Sequence, residues 1–352
     1  MMALATDSHA GQVRQLKLFE IEVDQSSELP DNGSSVFHDP AFASNKTAPL
    51  HRWVPWIAGF SSHFVRDALN RYLNGNGVVL DPFSGVGTTL VEAILLGHDA
   101  VGFEINPYAA LACRTKVNAH RIAVERLDDE IVKFQEFYRA RISSGYVPSS
   151  TPPKGFRTRS KFYSPKVLHK VLILQDFIDT VKDIRTRDLF RLAFASTMVR
   201  YSNYSYEPSL GRRASAGKDE ILDFPVGQAI ISKLSQMAED IDWLQTRLSN
   251  RCPSVRVVND SFFEYQSHLT PESVDLILTS PPYLNNYHYN RNTRPQLYWL
   301  GYAERPQDIK PLEHSNFGKY WQTTRDRERV DLEFPLPNTD LAERLQMLRG
   351  LN

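Results

Sequence analysis

Cysteine is nearly absent: Cys113 and Cys252 are the only two in 352 residues, too few for a disulfide framework or a multi-cysteine zinc site. No run approaches the roughly 18 to 20 apolar residues that span a bilayer, and Met1 to Gln12 lacks the basic-then-apolar order of a secretory signal. The expectation is a soluble cytoplasmic protein without a metal. An excess of one charge is missing too, because 41 basic side chains balance 41 acidic ones. That argues against an indiscriminate polyanion binder but allows a local basic face. With 41% apolar and 23% charged residues, the chain is neither disordered nor collagen-like, and its length allows one large domain or two modest ones.

Residues 1–48 mix Ser, Asp, Asn and Pro around one short apolar patch, Leu16 to Ile21, and read as a poorly ordered N-terminal arm. From His51 the texture changes. Phe64, Val65, Ala68, Leu69 and Tyr72 recur at helical spacing behind Ser61 and Ser62, either of which can cap the helix. Asn74-Gly75-Asn76-Gly77 breaks it, and Val78 to Leu80 reads as a buried strand. Asp81-Pro82-Phe83-Ser84-Gly85-Val86-Gly87-Thr88-Thr89 then leads into apolar Leu90 to Leu95, with a stop at Gly97: strand, glycine turn, helix. A second strand, Ala100 to Phe103, ends in Glu104. Between Arg121 and Ser249 the β signal gives way to four helical patterns, at Leu127 to Ile142, Pro165 to Ile184, Leu189 to Val199 and Val226 to Leu248. Strands return at Val255 to Val258, before Asn259-Asp260, and at Val274 to Leu278, before Thr279-Ser280-Pro281-Pro282-Tyr283. This predicts an α/β, doubly wound, Rossmann-like sheet over 49–120 and 251–302, interrupted by a helical insertion over 121–250 and followed by a tail over 303–352. Right-handed crossovers order the four strands third, second, first, fourth.

Strand, Gly-x-Gly and helix bring backbone N–H groups close to a ligand, because glycine has no Cβ to obstruct it. A dinucleotide site would want a small residue where Leu90 stands and would set pyrophosphate close to Asp81, which would repel it. A ligand with an ammonium group suits that carboxylate better. S-adenosylmethionine has one, together with two ribose hydroxyls for an acid about 20 residues further on, at Glu104. In the second motif, two prolines fix an extended chain without N–H donors. Ser-Pro-Pro-Tyr therefore shows carbonyls, a hydroxyl and an aromatic face at the carboxyl edge of the sheet. A planar amine fits there: Ser280 and the carbonyl after it accept from the NH2, and Tyr283 stacks on the ring.

The two motifs, in this order, resemble those of DNA methyltransferases that modify exocyclic amino groups, the N4-cytosine and N6-adenine group. The resemblance implies S-adenosylmethionine as cofactor, held by Asp81, Phe83, Gly85, Gly87, Thr88, Thr89, Glu104, Asn106 and Asp260, with Glu104 on the ribose and Asp260 beside the adenine amine. The stretch from His51 through Phe60 and Ser62 is similar to the family's N-terminal motif, which closes over the methionine end. Ser280, Pro281, Pro282 and Tyr283 would form the catalytic tetrapeptide. Serine at its first position goes mostly with N4 of cytosine in that family, Asp or Asn with N6 of adenine. A C5-cytosine mechanism is disfavoured, since no Pro-Cys nucleophile is present.

The implied partners are double-stranded DNA with a flipped target base, and a cognate restriction endonuclease. Two basic segments suit the DNA backbone: Lys154, Arg157, Arg159, Lys161, Lys166 and Lys170, interleaved with Phe156, Phe162 and Tyr163, and Arg200, Arg212, Arg213 and Lys218 around Tyr201 to Gly217. The family's sheet has seven strands, yet Leu284 to Asn352 shows no β-rich run. The expectation is that a complementing C-terminal fragment supplies the rest, and that Leu276 and Leu278 lack part of their cover without it. An RNA or protein N-methyltransferase, or an inactive DNA-binding subunit, competes with this reading.

Overall fold

The Ser61 hydroxyl accepts from the His63 N–H and so caps α1 (Ser62–Tyr72); of the two candidate caps it is the one used. The computed structural model describes residues 45–56, 59, 61–206, 209–248, 253–282, 289–316 and 347. Nearly all of the arm, together with Phe60, Cys252, Tyr283 and most of the tail, lies outside these. Gly75, at φ +87°, turns the chain from α1 towards β1 (Val78–Asp81). α2 (Thr88–Leu95) follows the glycine turn and stops at Gly97, φ +84°, before β2 (Asp99–Phe103). α3 (Pro107–Val117) has proline in its first turn and Asn106 as cap, both helix-start features.

The insertion contains α4 (Val124–Ser143), α5 (Pro165–Thr180) and α6 (Ile184–Thr197), then a short antiparallel hairpin, β3 (Tyr204–Tyr206) with β4 (Leu210–Arg212), and α7 (Val226–Gln245). The hairpin corrects the expectation of a purely helical segment. β5 (Val255–Val258) and β6 (Leu276–Ile277) complete the sheet, and α8 (Tyr289–Asn292), α9 (Arg294–Trp299) and α10 (Lys310–Ser315) follow.

The four long-range strands pair in parallel in the order β5-β2-β1-β6, the order that right-handed crossovers demand. Alternation divides β1 between two faces. Val79 joins the large core, which runs without a break into the insertion through Leu174, Phe190 and Ile230. Leu80 faces a much smaller cluster with Phe103 and Val258. On β6 the same alternation sets Leu276 and Leu278, both only partly buried, against the large core, and leaves Ile277 between them 59% exposed. Among the described residues β6 is an edge of the sheet.

Candidate functional site

β1 and β6 deliver both motifs to one corner. Leu278 N–H donates to the Leu80 carbonyl, so the chain leaves the sheet beside Asp81. The Asp81 carboxylate, 1% exposed, is there consumed internally. Its Oδ2 accepts from the Thr89 hydroxyl at 2.6 Å, and its Oδ1 from the Thr279 hydroxyl at 2.7 Å and the Phe83 N–H at 3.1 Å. Burial raises its pKa, and these three bonds oppose that. One side chain thus ties the end of β1, the first turn of α2 and the residue before Ser280. The sequence suggested an ammonium ligand for this carboxylate; it is not in the lining of the cavity described next.

A cavity of about 470 Å³ opens at the carboxyl ends of the strands. Phe83, Gly85, Glu104, Asn106 and Asp260 from the cofactor set line it, and so do Ser280 and Pro282 from the tetrapeptide. Gly85 has φ +51°, and a Cβ there would stand 3.2 Å from the Trp56 indole nitrogen, so the turn needs glycine for conformation and space alike. Glu104 accepts from the Asn106 N–H at 2.7 Å. Burial pushes its pKa up to about 7, partly offset by the N–H groups of Asn106, Gly85 and Ile105. With no cation among these influences, its carboxyl is suited to accept from ligand hydroxyls. The Asn106 side chain is committed to the fold: Oδ1 accepts from Tyr108 N–H, and Nδ2 donates to the Thr293 hydroxyl at 2.8 Å.

The other expected residues stand behind this surface. Thr88, Thr89 and Ser62 are buried outside the lining, and Ser62 N–H donates to Asn45. Gly87, φ +88°, packs against Cys113, whose Sγ lies 2.6 Å from where a Cβ would be. Burial pushes that thiol up to about 12, which makes it a packing group and not a nucleophile. Pro281 is exposed, while Phe60 and Tyr283 lie outside the described residues.

Residues 8–113 match the N6/N4 methyltransferase family, described as DNA methylase. The type II methyltransferase M.BsoBI of Geobacillus stearothermophilus is 27% identical over 291 residues, covering 75% of this chain and 55% of that protein. These matches make the chain similar to the N6/N4 DNA methylases. The chain is also similar to the type II methyltransferases M.AvaI of Nostoc sp., 24% identical over 292 residues (75% of this chain, 57% of the relative), and M.MvaI of Kocuria varians, 22% identical over 231 residues (62% and 50%). The chain spans about 55% of the length of the first of these relatives.

Several lining residues carry no sequence signal of their own. Trp56, Ile105, Phe262, Phe263, Tyr265, Tyr289 and Asn290 come from irregular segments or short helices. Phe262 stacks on Tyr265 and meets Phe83 and Phe103 edge-on, forming an apolar wall suited to a planar heterocycle. In the sequence Thr279 is marked only by its place before the tetrapeptide, and nothing there signals its bond to Asp81.

Proposed function

We propose that this protein is an S-adenosylmethionine-dependent DNA methyltransferase acting on an exocyclic amino group, N4 of cytosine in preference to N6 of adenine, in a restriction-modification setting. One observation carries the reading: a single cavity is lined by Phe83, Gly85, Glu104 and Asp260 from the cofactor half and by Ser280 and Pro282 from the catalytic half. When bound, the cofactor supplies an electrophilic methyl group on a sulfonium sulfur. Glu104 accepts the ribose hydroxyls, the Phe83 and Phe262 wall covers the adenine, Asp260 takes its amine, and Asp81 acts as a positioning residue. The target amine is a poor nucleophile, because its lone pair is delocalised into the ring. The Ser280 hydroxyl accepts one of its N–H protons and a second acceptor the other, which localises the lone pair towards the methyl group. Tyr283 stacks on the base, offsetting part of the few kcal/mol that flipping costs. Tritium transfer from labelled cofactor to plasmid DNA, followed by nucleoside analysis, tests this. N4-methylcytosine is expected; N6-methyladenine would move the target, and a nucleoside pool left unlabelled both by the chain alone and with a complementing C-terminal fragment added would overturn the reading.

Glu104 sets a pH dependence. Its pKa is about 7 in the free protein, and hydroxyl donors stabilise the ionised form, so the bound pKa is lower and binding releases a proton on the acidic side of 7. Cofactor affinity will therefore level off above pH 7 and fall towards ~tenfold per unit below it. Calorimetry in buffers of different protonation enthalpy will read the proton, and Glu104→Gln should abolish this dependence.

The DNA backbone is assigned to an open groove lined by Arg157, Arg159 and Lys161 with no acidic residue. All three rings line the groove, but Phe162 and Tyr163 are buried and Phe156 packs on Phe162 with ring centroids 5.2 Å apart, so little ring surface is open to bases. That favours phosphate contacts over base stacking. Lys170 instead pairs with Asp223, and Arg213 donates to the Asp219 carbonyl. Changing Arg157, Arg159 and Lys161 together to Gln should lower the slope of log affinity against log salt by about 2 to 3, since each phosphate contact contributes about 0.9. Fluorescence anisotropy with a labelled duplex will measure it.

A further inference from the structure

Asn290, the second residue of α8, lines the cavity and is 1% exposed. Among the described residues, neither its Oδ1 nor its Nδ2 has a hydrogen-bond partner. The neighbouring amides differ. Asn292 accepts from the Leu210 N–H, and Asn106 donates to Thr293. Other polar groups of the lining are committed as well: Glu104 accepts from the Asn106 N–H, and Asp260 from His268 and the Ser261 N–H. A buried amide with both atoms unpaired weakens a fold, so its place in the wall of a ligand cavity is informative.

A carboxamide sets an N–H donor beside a carbonyl acceptor. Its complement is an amidine edge, an exocyclic amine next to a ring nitrogen acceptor. Cytosine presents this as N4 and N3, adenine as N6 and N1. We propose that Asn290 reads such an edge, its Oδ1 accepting from the amine and its Nδ2 donating to the ring nitrogen. On the target base Oδ1 then takes the second N–H in place of the carbonyl after Ser280; the adenine of the cofactor carries the same edge. This rests on the methyltransferase reading above.

Asn290→Leu keeps the size and removes both polar atoms. Because the amide is unpaired among the described residues, the variant should melt no lower than wild type, whereas loss of a structural amide would lower the melting temperature. Transfer to plasmid DNA should fall ~10- to 100-fold, as expected for losing a two-bond base contact. Cofactor titration separates the sources: unchanged affinity assigns the target base, and a similar loss of affinity assigns the cofactor's adenine. A lower melting temperature, or unaltered transfer together with unaltered cofactor affinity, would overturn the proposal. Wild-type protein that labels no DNA even with the complementing fragment would sink the methyltransferase reading instead, while melting and cofactor titration would still decide the role of Asn290.

Discussion

An Asp81→Ala variant will lose about 3 kcal/mol of stability, at roughly 1 kcal/mol for each buried donor left without an acceptor. The donors are the hydroxyls of Thr89 and Thr279 and the N–H of Phe83. The hydroxyls can turn to other acceptors, but the Phe83 amide is fixed by the turn, which limits relaxation. The larger effect is functional. Asp81 is the direct link between the glycine turn and the residue before Ser280, and an error of the order of 1 Å between cofactor and acceptor amine can cost about a hundredfold in rate. Methyl transfer should therefore fall on the order of a hundredfold even where thermal melts show the protein folded. Asp81→Asn should be milder, since its carbonyl serves Phe83 and Thr279 while the Thr89 hydroxyl rotates to accept from the new amide. Full transfer in a folded Asp81→Ala variant would show that the link does not position the site.

How far the sequence reaches is clear from particular residues. Strand order was readable because each strand ends in a distinctive acid or Ser-Pro-Pro signal, and right-handed crossovers leave one arrangement. The destination of the Asp81 carboxylate was not. Sequence shows that it ends a strand, but whether it faces a ligand or the neighbouring chain depends on the pairing of β1 with β6, whose linked residues are 198 positions apart. Phe162 and Tyr163 alternate with cations in the sequence, yet they are buried in the core, and an irregular segment has no fixed period from which to assign such faces. The hairpin from Tyr204 to Arg212 has strands of three residues, too short for alternation to register. Trp56 and Asn290 gain meaning only from what surrounds them: Trp56 from the would-be Cβ of Gly85, Asn290 from having no partner among the described residues.

The second large effect is expected at Ser280. It lines the cavity and is carried there by Thr279, whose hydroxyl is anchored on Asp81. As acceptor for one proton of the target amine, the Ser280 hydroxyl helps most as positive charge develops on that nitrogen, so its removal should act on the transition state more than on binding. Ser280→Ala should slow transfer by ~10²- to 10³-fold, the usual consequence of deleting one preorganised hydrogen-bonding group at a reacting centre. Cofactor affinity should stay unchanged, because the groups assigned to the ribose and adenine, Glu104, Phe262 and Asp260, are untouched. Ser280→Thr retains the hydroxyl and should recover part of the rate. Single-turnover transfer with saturating cofactor separates the two effects. A variant that loses cofactor affinity but transfers normally once saturated would move Ser280 from the acceptor amine to the cofactor.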